Sequence, residues 1–331
     1  MRSSFRSQCK QRVLQTVAAC GGFAFCRWRT RRAFRIFAYH GVTDQIAERE
    51  NLDGFFVSPD VFKAHLRTLA GHYQVMPLTR LVETWMAGEP LPDCAAAITF
   101  DDGYANNADI AAPLLQSAGL PATFFVTSGF IDGTHQPWWA VLRTHAAQAG
   151  WDRSLLAQQE SRLKNQSAAD RVSSLRKLFA EAGDMTASAA WRMMSWDQVR
   201  SLAAAGFEVG AHTVSHPAIA HEERADIDEE FRISRERILG EIGQIAPIVA
   251  YPYGQPEHIG HTVVDSLREQ GCLAAVTTMD GLNDVRQDPF FLYRLNVSGN
   301  HHRLEFRALA SGCTVPRMPI VSSSASGCHA I

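Results

Sequence analysis

Two adjacent carboxylates, Asp101 and Asp102, directly follow the apolar run that begins at Ala95. Two acids side by side at a strand end repel each other unless a positive group lies beside them. His212 and His216 follow a second apolar run, and side chains at this spacing can converge on one point. Two imidazoles and one carboxylate form the ligand set of a catalytic zinc site. The pattern therefore predicts a metal held by one aspartate, with its neighbour left as an ionised base.

The histidine spacing by itself is weak evidence for that site. The chain has 13 histidines in 331 residues, and chance alone supplies on the order of half a His-x-x-x-His pair. A pair of surface or loop histidines is the alternative. The position of the histidines favours the metal, because residues that follow different strands of a parallel α/β barrel meet at one mouth.

A third segment, AYPYG at residues 250–254, also follows an apolar run. Its proline and glycine predict a rigid turn that can lift a backbone N–H towards the mouth. The N–H of Tyr253 would there stabilise a developing oxyanion. A plain loop turn is the alternative.

The elements that must position these residues alternate from about residue 35 to residue 298, which is typical of βα units around a parallel sheet. The predicted strands are Arg35–Tyr39, Ala95–Phe100, Ala122–Val126, Phe207–Ala211, Pro247–Tyr251, Cys272–Thr277 and Tyr293–Val297. The predicted helices include Trp196–Ala205, opened by the capping pattern Ser195-x-x-Gln198, Arg224–Gly243 and Asn107–Gln116. Seven strands favour a barrel or a strongly curved sheet over a flat one.

We divide the chain into a basic N-terminal helix or arm at 1–34, an α/β domain at 35–310 and a disordered tail at 311–331. An insertion at about 130–190 is less regular and is expected to pack on the barrel. An apolar share of 46% and a charged share of 20% are those of a soluble globular protein. The net charge of −2 gives no reason to expect nucleic-acid binding. Seven cysteines without a Cys-x-x-Cys pair argue against a disulfide framework and favour a reducing compartment.

The first 35 residues carry nine basic residues and no acid. No stretch reaches the roughly 18 apolar residues that a membrane span needs. The segment from Val13 to Cys26 faintly resembles a lipoprotein signal, but its apolar core is short and is interrupted by Gln15. We expect a cytoplasmic protein, with a periplasmic or lipoprotein form as the alternative. A basic arm of this kind is usually a solvated face or tail, and peripheral contact with a membrane is the less common alternative.

The segments TFDDGY, HTVSH and YPYG, in this order and at strand ends, resemble the motifs of the polysaccharide deacetylase family, the NodB-homology or carbohydrate esterase 4 group. YHGV at 39–42 and MSWDQVRSLAAAGFEVGAHT resemble a subgroup found among bacterial exopolysaccharide-synthesis enzymes. The similarity covers roughly residues 36–298.

The resemblance implies a distorted (β/α)₇ barrel and a divalent metal, usually zinc. Carried over to this chain, it makes Asp102, His212 and His216 the metal ligands, Asp101 the general base, and the N–H of Tyr253 the oxyanion donor. The implied reaction is hydrolysis of N-acetyl groups from amino sugars of a polysaccharide or its precursor, so the implied partner is an N-acetylated glycan.

Two departures from the family pattern affect the expected machinery. The third motif often begins with an arginine that pairs with the base, whereas this chain has no basic residue at 248–251. The late motif often carries a histidine that protonates the leaving amine, and PFFLYRLNVSGNHH has no equivalent inside its strand. Arg294 is the candidate electrostatic substitute for the arginine. His40 is a candidate for a place near the metal, with a core role as the alternative, and the proton donor is unassigned.

Two other functions remain open on the sequence. One is a hydrolase of another amide or of an acetyl ester, and the other is a catalytically impaired carbohydrate-binding barrel. The adjacent acids favour an enzyme. Trp138 and Trp139 are expected to pack the insertion onto the barrel, with stacking on a sugar as the alternative, and Asp280 is expected in a turn rather than in the pocket.

Overall fold

The structure, a computed structural model, describes residues 2–179, 186–260 and 263–315. Most of the predicted tail, from residue 316 to residue 331, lies outside the described residues. The strands are β1 Arg35–Tyr39, β2 Gly41–Val42, β3 Phe56–Val57, β4 Gln74–Val75, β5 Ala95–Phe100, β6 Thr123–Val126, β7 Glu208–Ala211, β8 Ile248–Ala250, β9 Ala274–Asp280 and β10 Leu292–Asn296.

Seven parallel strands close into a barrel. The order β1-β10-β9-β8-β7-β6-β5 is completed by pairing of β1 with β5, in which Phe37 lies opposite Ile98. The closed ring confirms the predicted (β/α)₇ fold. The short strand β4 pairs with the start of β5, and β2 and β3 pair separately. These three were not predicted, because two residues are too few to show an alternating pattern.

The helices surround the barrel and fill its connections. They are α1 Arg2–Ala19, α2 Gly22–Arg29, α3 Pro59–His72, α4 Leu78–Met86, α5 Ala112–Ala118, α6 Ser128–Ile131, α7 Trp138–Gln148, α8 Arg153–Lys164, α9 Ala168–Leu178, α10 Trp196–Ala204, α11 Arg224–Ile242, α12 Pro256–Ile259, α13 Val263–Glu269 and α14 Arg303–Ala310. The predicted capping box at Ser195 is confirmed. The helix predicted from Asn107 instead begins with a π-helical turn, Asn107–Ala111, before α5.

Successive side chains of a strand point to opposite faces, so each barrel strand contributes alternate residues to the interior. Near the start of the strands the interior is filled by a buried cluster that includes Ile36, Ala97 and Phe125. Continued along β1 and β5, the same alternation places His40 and Asp101 on the interior side at the far end of the barrel. The pleat that builds the core therefore also orients the polar residues that follow it.

Between β6 and β7, helices α7, α8 and α9 lie in the segment at about 130–190 where the sequence predicted an insertion. Its core is a separate apolar cluster in which Trp138, Trp139 and Trp191 pack with Phe56 and Tyr104. A buried carboxylate joins it to the loop after β2. Glu50 accepts hydrogen bonds from Trp191 Nε1 at 2.6 Å and from Ser188 Oγ at 2.7 Å.

The two N-terminal helices pack against α14. Leu14 and Phe23 form a small buried cluster with Ala308, and Lys10 forms an ion pair with Glu305 at 2.6 Å. Among the described residues, none of the helices has the length and apolar character that crossing a membrane requires.

Candidate functional site

A cavity of about 380 Å³ lies at the carboxyl ends of the barrel strands. It collects the residues that the three sequence motifs placed at strand ends, together with side chains from the insertion. Its lining residues include His40, Phe55, Asp101, Asp102, Trp138, Trp139, Arg143, Glu160, Lys164, His212, His216, Tyr253, Gln255, His258 and Asn296. The structure thus brings together segments separated by as many as 256 positions, from His40 to Asn296.

The two histidines and the second acid converge in this cavity. Asp102 Oδ1 lies 3.3 Å from His212 Nε2 and 3.5 Å from His216 Nε2. All three side chains are buried, and one ligand atom from each lies within 4.8 Å of the others. This is the three-residue arrangement that could hold a metal ion while leaving coordination positions open.

The surroundings of His212 favour its role as a ligand. Its Nδ1 lies 2.8 Å from the carbonyl oxygen of Ala250. A carbonyl can only accept, so Nδ1 carries a proton and Nε2 is the nitrogen that faces Asp102 and could bind a metal. His216 packs between the rings of Trp139 and Tyr253, with centroid distances of 4.6 and 4.7 Å. Its Nδ1 has no hydrogen-bond partner in the described part of the chain. The donor set therefore fits a divalent metal.

The backbone around these residues is strained. Asp102, Thr213, His216 and Tyr253 have φ values of 72°, 64°, 58° and 58°, in the left-handed region that costs about 1–3 kcal/mol for residues other than glycine. Glu230 of α11 supports the loop that carries both histidines. Its Oε2 accepts hydrogen bonds from the N–H groups of residues 214 and 215 at 2.8 and 2.9 Å. Strain concentrated at one cavity is typical of a functional site.

Asp101 is paired with an arginine, whereas Asp102 faces the two histidines. Arg294 donates two hydrogen bonds to Asp101, from Nη1 to Oδ1 at 2.8 Å and from Nη2 to Oδ2 at 2.6 Å, and both side chains are buried. The guanidinium is held in turn by the carbonyl of Thr277, which accepts from Nε at 2.6 Å. Arg294 thus pairs with the acid that the missing motif arginine would contact, as expected of its electrostatic substitute.

The charges of the two acids follow from these contacts. Burial raises the pKa of Asp101, but the charge and hydrogen bonds of Arg294 outweigh it and hold this pKa below the ordinary value. Burial likewise raises the pKa of Asp102, but the neighbouring imidazoles of His212, His40 and His216 outweigh it and hold this pKa well below the ordinary value. Burial lowers the pKa of His216 to about 3. At neutral pH both acids are ionised and His216 is neutral, as a ligand histidine must be.

Tyr253 occupies the turn that the sequence predicted. Its phenolic oxygen accepts a hydrogen bond from Trp138 Nε1 at 2.8 Å, and burial raises its pKa to about 12. Gly254 follows with φ of 64°, and a Cβ there would lie 2.4 Å from the backbone nitrogen of Thr278. Only glycine fits this position. The oxyanion role of the Tyr253 N–H stays a prediction.

Two histidines of the cavity are candidates for the unassigned proton donor. His40 follows β1 and packs against Phe55 with a centroid distance of 4.1 Å. Burial lowers its pKa below the ordinary value, although the nearby charges of Asp102 and Asp101 oppose the shift. His258 of α12 lies beside Tyr253, at 5.3 Å between centroids, and burial lowers its pKa. His40 follows Tyr39, which lies opposite Phe100 in the pairing of β1 with β5, so it is the histidine next to the paired acids.

The insertion supplies lining residues that sequence reasoning missed. Arg143 of α7 is buried and donates to Glu160 at 2.7 Å and to both oxygens of Asp53 at 2.8 and 2.7 Å. Lys164, at the end of α8, lies 5.7 Å above the ring of Tyr253. The sequence does not distinguish these positions by a motif. Charged residues at helical spacing are also typical of helix faces exposed to solvent.

Trp138, Trp139 and Asp280 are the other residues for which the sequence predicted a position relative to the pocket. Trp138 and Trp139 are buried and pack the insertion, as expected, and they also line the cavity, so packing and pocket roles coexist. Trp139 Nε1 donates to Tyr104 Oη at 2.8 Å. Asp280 ends β9 rather than lying in a turn, and its carboxylate accepts from the backbone N–H and side-chain amide of Asn296 at 3.1 and 3.0 Å. It is not among the lining residues of the cavity.

Comparison of the sequence with models of protein families identifies the family of the chain. Residues 88–275 match the model of the family described as Polysaccharide deacetylase. This is more than half of the chain, which therefore belongs to that family and to its class of hydrolases. A search of curated proteins found no match.

Solved structures share the fold at low sequence identity. The Streptococcus pyogenes deacetylase PplD, solved with acetate, is 18% identical over 82% of this chain and 96% of its own, with a TM-score of 0.60. A de-N-acetylase from Aggregatibacter actinomycetemcomitans is 20% identical over 83% and 99%, with a TM-score of 0.59. IcaB from Ammonifex degensii is 18% identical over 85% and 97%, with a TM-score of 0.57. These similarities support the barrel fold.

Proposed function

We propose that the protein is a metal-dependent hydrolase that removes N-acetyl groups from amino sugars of a polysaccharide or of its precursor. The observation that carries the proposal is the unequal environment of two adjacent acids. Asp101 is paired with Arg294, whereas Asp102 faces His212 and His216 in the same cavity. A binding protein has no need for this division, but a hydrolase needs both a base and a metal ligand.

Asp102, His212 and His216 would hold the metal, and zinc is the ion that two imidazoles and a carboxylate favour. When bound, such an ion supplies Lewis-acid polarisation of the acetyl carbonyl and lowers the pKa of the attacking water. The proton on Nδ1 of His212 is held by the carbonyl of Ala250, which keeps the ring oriented for ligation.

The residues of the chain supply the proton transfers. Arg294 keeps Asp101 ionised. Asp101 accepts a proton from the attacking water while the oxygen of that water bonds to the acetyl carbon. The N–H of Tyr253 stabilises the negative charge that develops on the carbonyl oxygen. His40 donates a proton to the sugar nitrogen as the C–N bond breaks. The products are acetate and a free amino sugar.

The cavity suits an acetylated sugar. At about 380 Å³ it lies within the range of small-molecule sites, roughly 300–1,000 Å³. The rings of Phe55, Trp138 and Tyr253 line it, and aromatic faces suit the apolar faces of sugar rings.

Acetate release tests the proposal. We expect purified protein with zinc or cobalt to release acetate from N-acetylglucosamine oligomers or an acetylated glycan. Asp101→Asn should retain the metal and lower kcat by about 10²- to 10⁴-fold, the usual contribution of a general base. Asp60→Asn, a fully solvent-facing acid on α3, is the matched control and should keep full activity.

Four results would contradict parts of the proposal. Full activity of Asp101→Asn would show that Asp101 is not the general base. Loss of metal from that variant would show that Asp101 is a metal ligand. Acetate release from O-acetylated but not from N-acetylated glycans would assign an esterase instead. His40→Gln should slow hydrolysis of the amide more than hydrolysis of p-nitrophenyl acetate, whose leaving group needs no proton, and an equal effect on both would exclude His40 as the donor.

A further inference from the structure

The face of α2 that points away from the barrel is aromatic. The inward side of this helix contributes Phe23 to the cluster with Leu14 and Ala308. On its outward side Phe25 and Trp28, three residues apart, are 61% and 59% exposed, and their ring centroids are 6.0 Å apart. A surface helix normally turns polar side chains to solvent. We call Phe25 and Trp28 the aromatic patch.

The aromatic patch is surrounded by positive charge. Arg29 follows Trp28 on the exposed side, and the side chain of Arg32 is 80% exposed. The guanidinium of Arg31 lies 5.1 Å from the Trp28 ring centroid. Asp93 lies 3.4 Å from Arg31 and 3.7 Å from Arg32, and Glu89 and Asp284, which is paired with Arg286, lie in a depression beside Arg32. The chain before residue 44 contributes arginines and no acid to this surface.

We propose that the aromatic patch and its arginines bind the surface of an anionic lipid bilayer. Tryptophan and phenylalanine rings are favourable at the level of the lipid headgroups, and arginines beside them can reach the phosphates. The charge complementarity selects this partner over a second copy of the chain. A two-fold dimer through this face would place the same arginines against one another.

The patch lies at the opposite end of the barrel from the cavity. The carbonyl of Arg31, just beyond α2, accepts a hydrogen bond from the N–H of Cys94 at 2.7 Å. Cys94 immediately precedes β5, so this contact is at the start of the barrel strands, whereas the cavity lies at their ends. Binding through the patch therefore leaves the cavity accessible to a glycan.

Vesicle co-sedimentation with the full chain tests the proposal. We expect binding to phosphatidylcholine vesicles that contain phosphatidylglycerol and little binding to phosphatidylcholine alone. The double variant Phe25→Ser/Trp28→Ser should lower the partition coefficient at least tenfold. Arg29→Gln should lower it about fivefold, which corresponds to about 1 kcal/mol for one basic residue near an anionic surface, and added salt should weaken wild-type binding.

Leu239→Ser is the matched control, because Leu239 is an apolar side chain of α11 that is 47% exposed, and it should bind like the wild type. Equal thermal unfolding midpoints would show that all variants are folded. Unchanged vesicle binding by the double variant, or absence of wild-type binding to anionic vesicles, would overturn the proposal. A double variant that instead changes from oligomer to monomer in gel filtration, with no wild-type vesicle binding, would assign the patch to self-association. Acetate release is measured separately, so its failure does not affect this test.

Discussion

At the scale of single residues, the structure shows why the adjacent acids Asp101 and Asp102 can lie side by side: each has its own partner. Asp101 lies on the interior side of the barrel, where it meets Arg294 of β10. Asp102 takes a left-handed backbone conformation, with φ of 72°, and turns to the histidines. The two carboxylates are thus separated by their partners. Because the Asp101–Arg294 pair is buried, removal of one partner leaves a charge without compensation.

Arg294→Met should therefore lower the free energy of unfolding by about 3–5 kcal/mol, the usual cost of breaking a buried ion pair. Asp101→Leu/Arg294→Met should cost less than Arg294→Met alone, because neither charge then remains buried. Denaturant unfolding of the two variants measures the difference.

An exposed pair provides the control for this comparison. Arg224 and Asp228 lie 3.2 Å apart with side chains about 40% exposed, and Arg224→Met should cost less than about 1 kcal/mol. A cost for Arg294→Met as small as that of Arg224→Met would show that the buried pair contributes little to stability.

At the scale of elements, helix contacts around the barrel also depend on buried polar groups. His65 of α3 stacks on Phe306 of α14, with centroids 3.7 Å apart, and its Nδ1 lies 3.3 Å from Tyr39 Oη. Burial, and to a smaller extent the charge of His301, lowers the pKa of His65 from 6.5 to about 3. The histidine is therefore neutral in the folded state at neutral pH.

This pKa predicts a pH dependence of stability. Below pH 6.5 the unfolded chain protonates His65, whereas the folded chain does not until about pH 3. The stabilisation is thus fully present above pH 6.5 and is lost as the pH falls towards 3. Between pH 6.5 and pH 5 this one group should lower the free energy of unfolding by about 2 kcal/mol.

Substitution separates His65 from the other titrating groups. His65→Phe preserves a ring against Phe306 and should make the decrease in stability between pH 6.5 and pH 5 smaller than in the wild type. His221→Gln, at an exposed histidine, should leave the wild-type pH dependence unchanged. Parallel pH profiles of the wild type and His65→Phe in denaturant titrations would contradict the assignment.

At the scale of the whole molecule, closure of the barrel assembles the site. The pairing of β1 with both β5 and β10 brings His40, Asp101 and Arg294 to one end of the ring. Asp102 and the two histidines come from the loops after β5 and β7. A metal held by all three ligands would bind the folded chain and not the unfolded one, and would therefore stabilise the entire fold.

Zinc at about 100 times its Kd should raise the free energy of unfolding by about 2.7 kcal/mol, which corresponds to a rise of several degrees in Tm for a chain of this size. A chelator should reverse the rise. His212→Ala should show no zinc-dependent change, whereas His72→Gln, an exposed histidine of α3, should respond like the wild type. Equal Tm values for the wild type with and without zinc would contradict the proposed ligand set.

The sequence by itself determined the repeating βα pattern, most strand bounds, and the positions of Asp101, Asp102, His212 and His216 at strand ends. These features are local: they depend on side-chain alternation, capping residues and turn residues. The sequence did not determine which face of β5 is interior, because every residue of this strand is buried.

Only the tertiary structure decided which partner each group meets. Arg294 follows Asp101 by 193 positions, and its approach depends on the ring closing between β1 and β10. Arg143 and Lys164 reach the cavity because the insertion folds over the mouth, a placement that no local pattern encodes. Contacts between distant segments depend on how whole elements pack, and the local order of residues does not specify that packing.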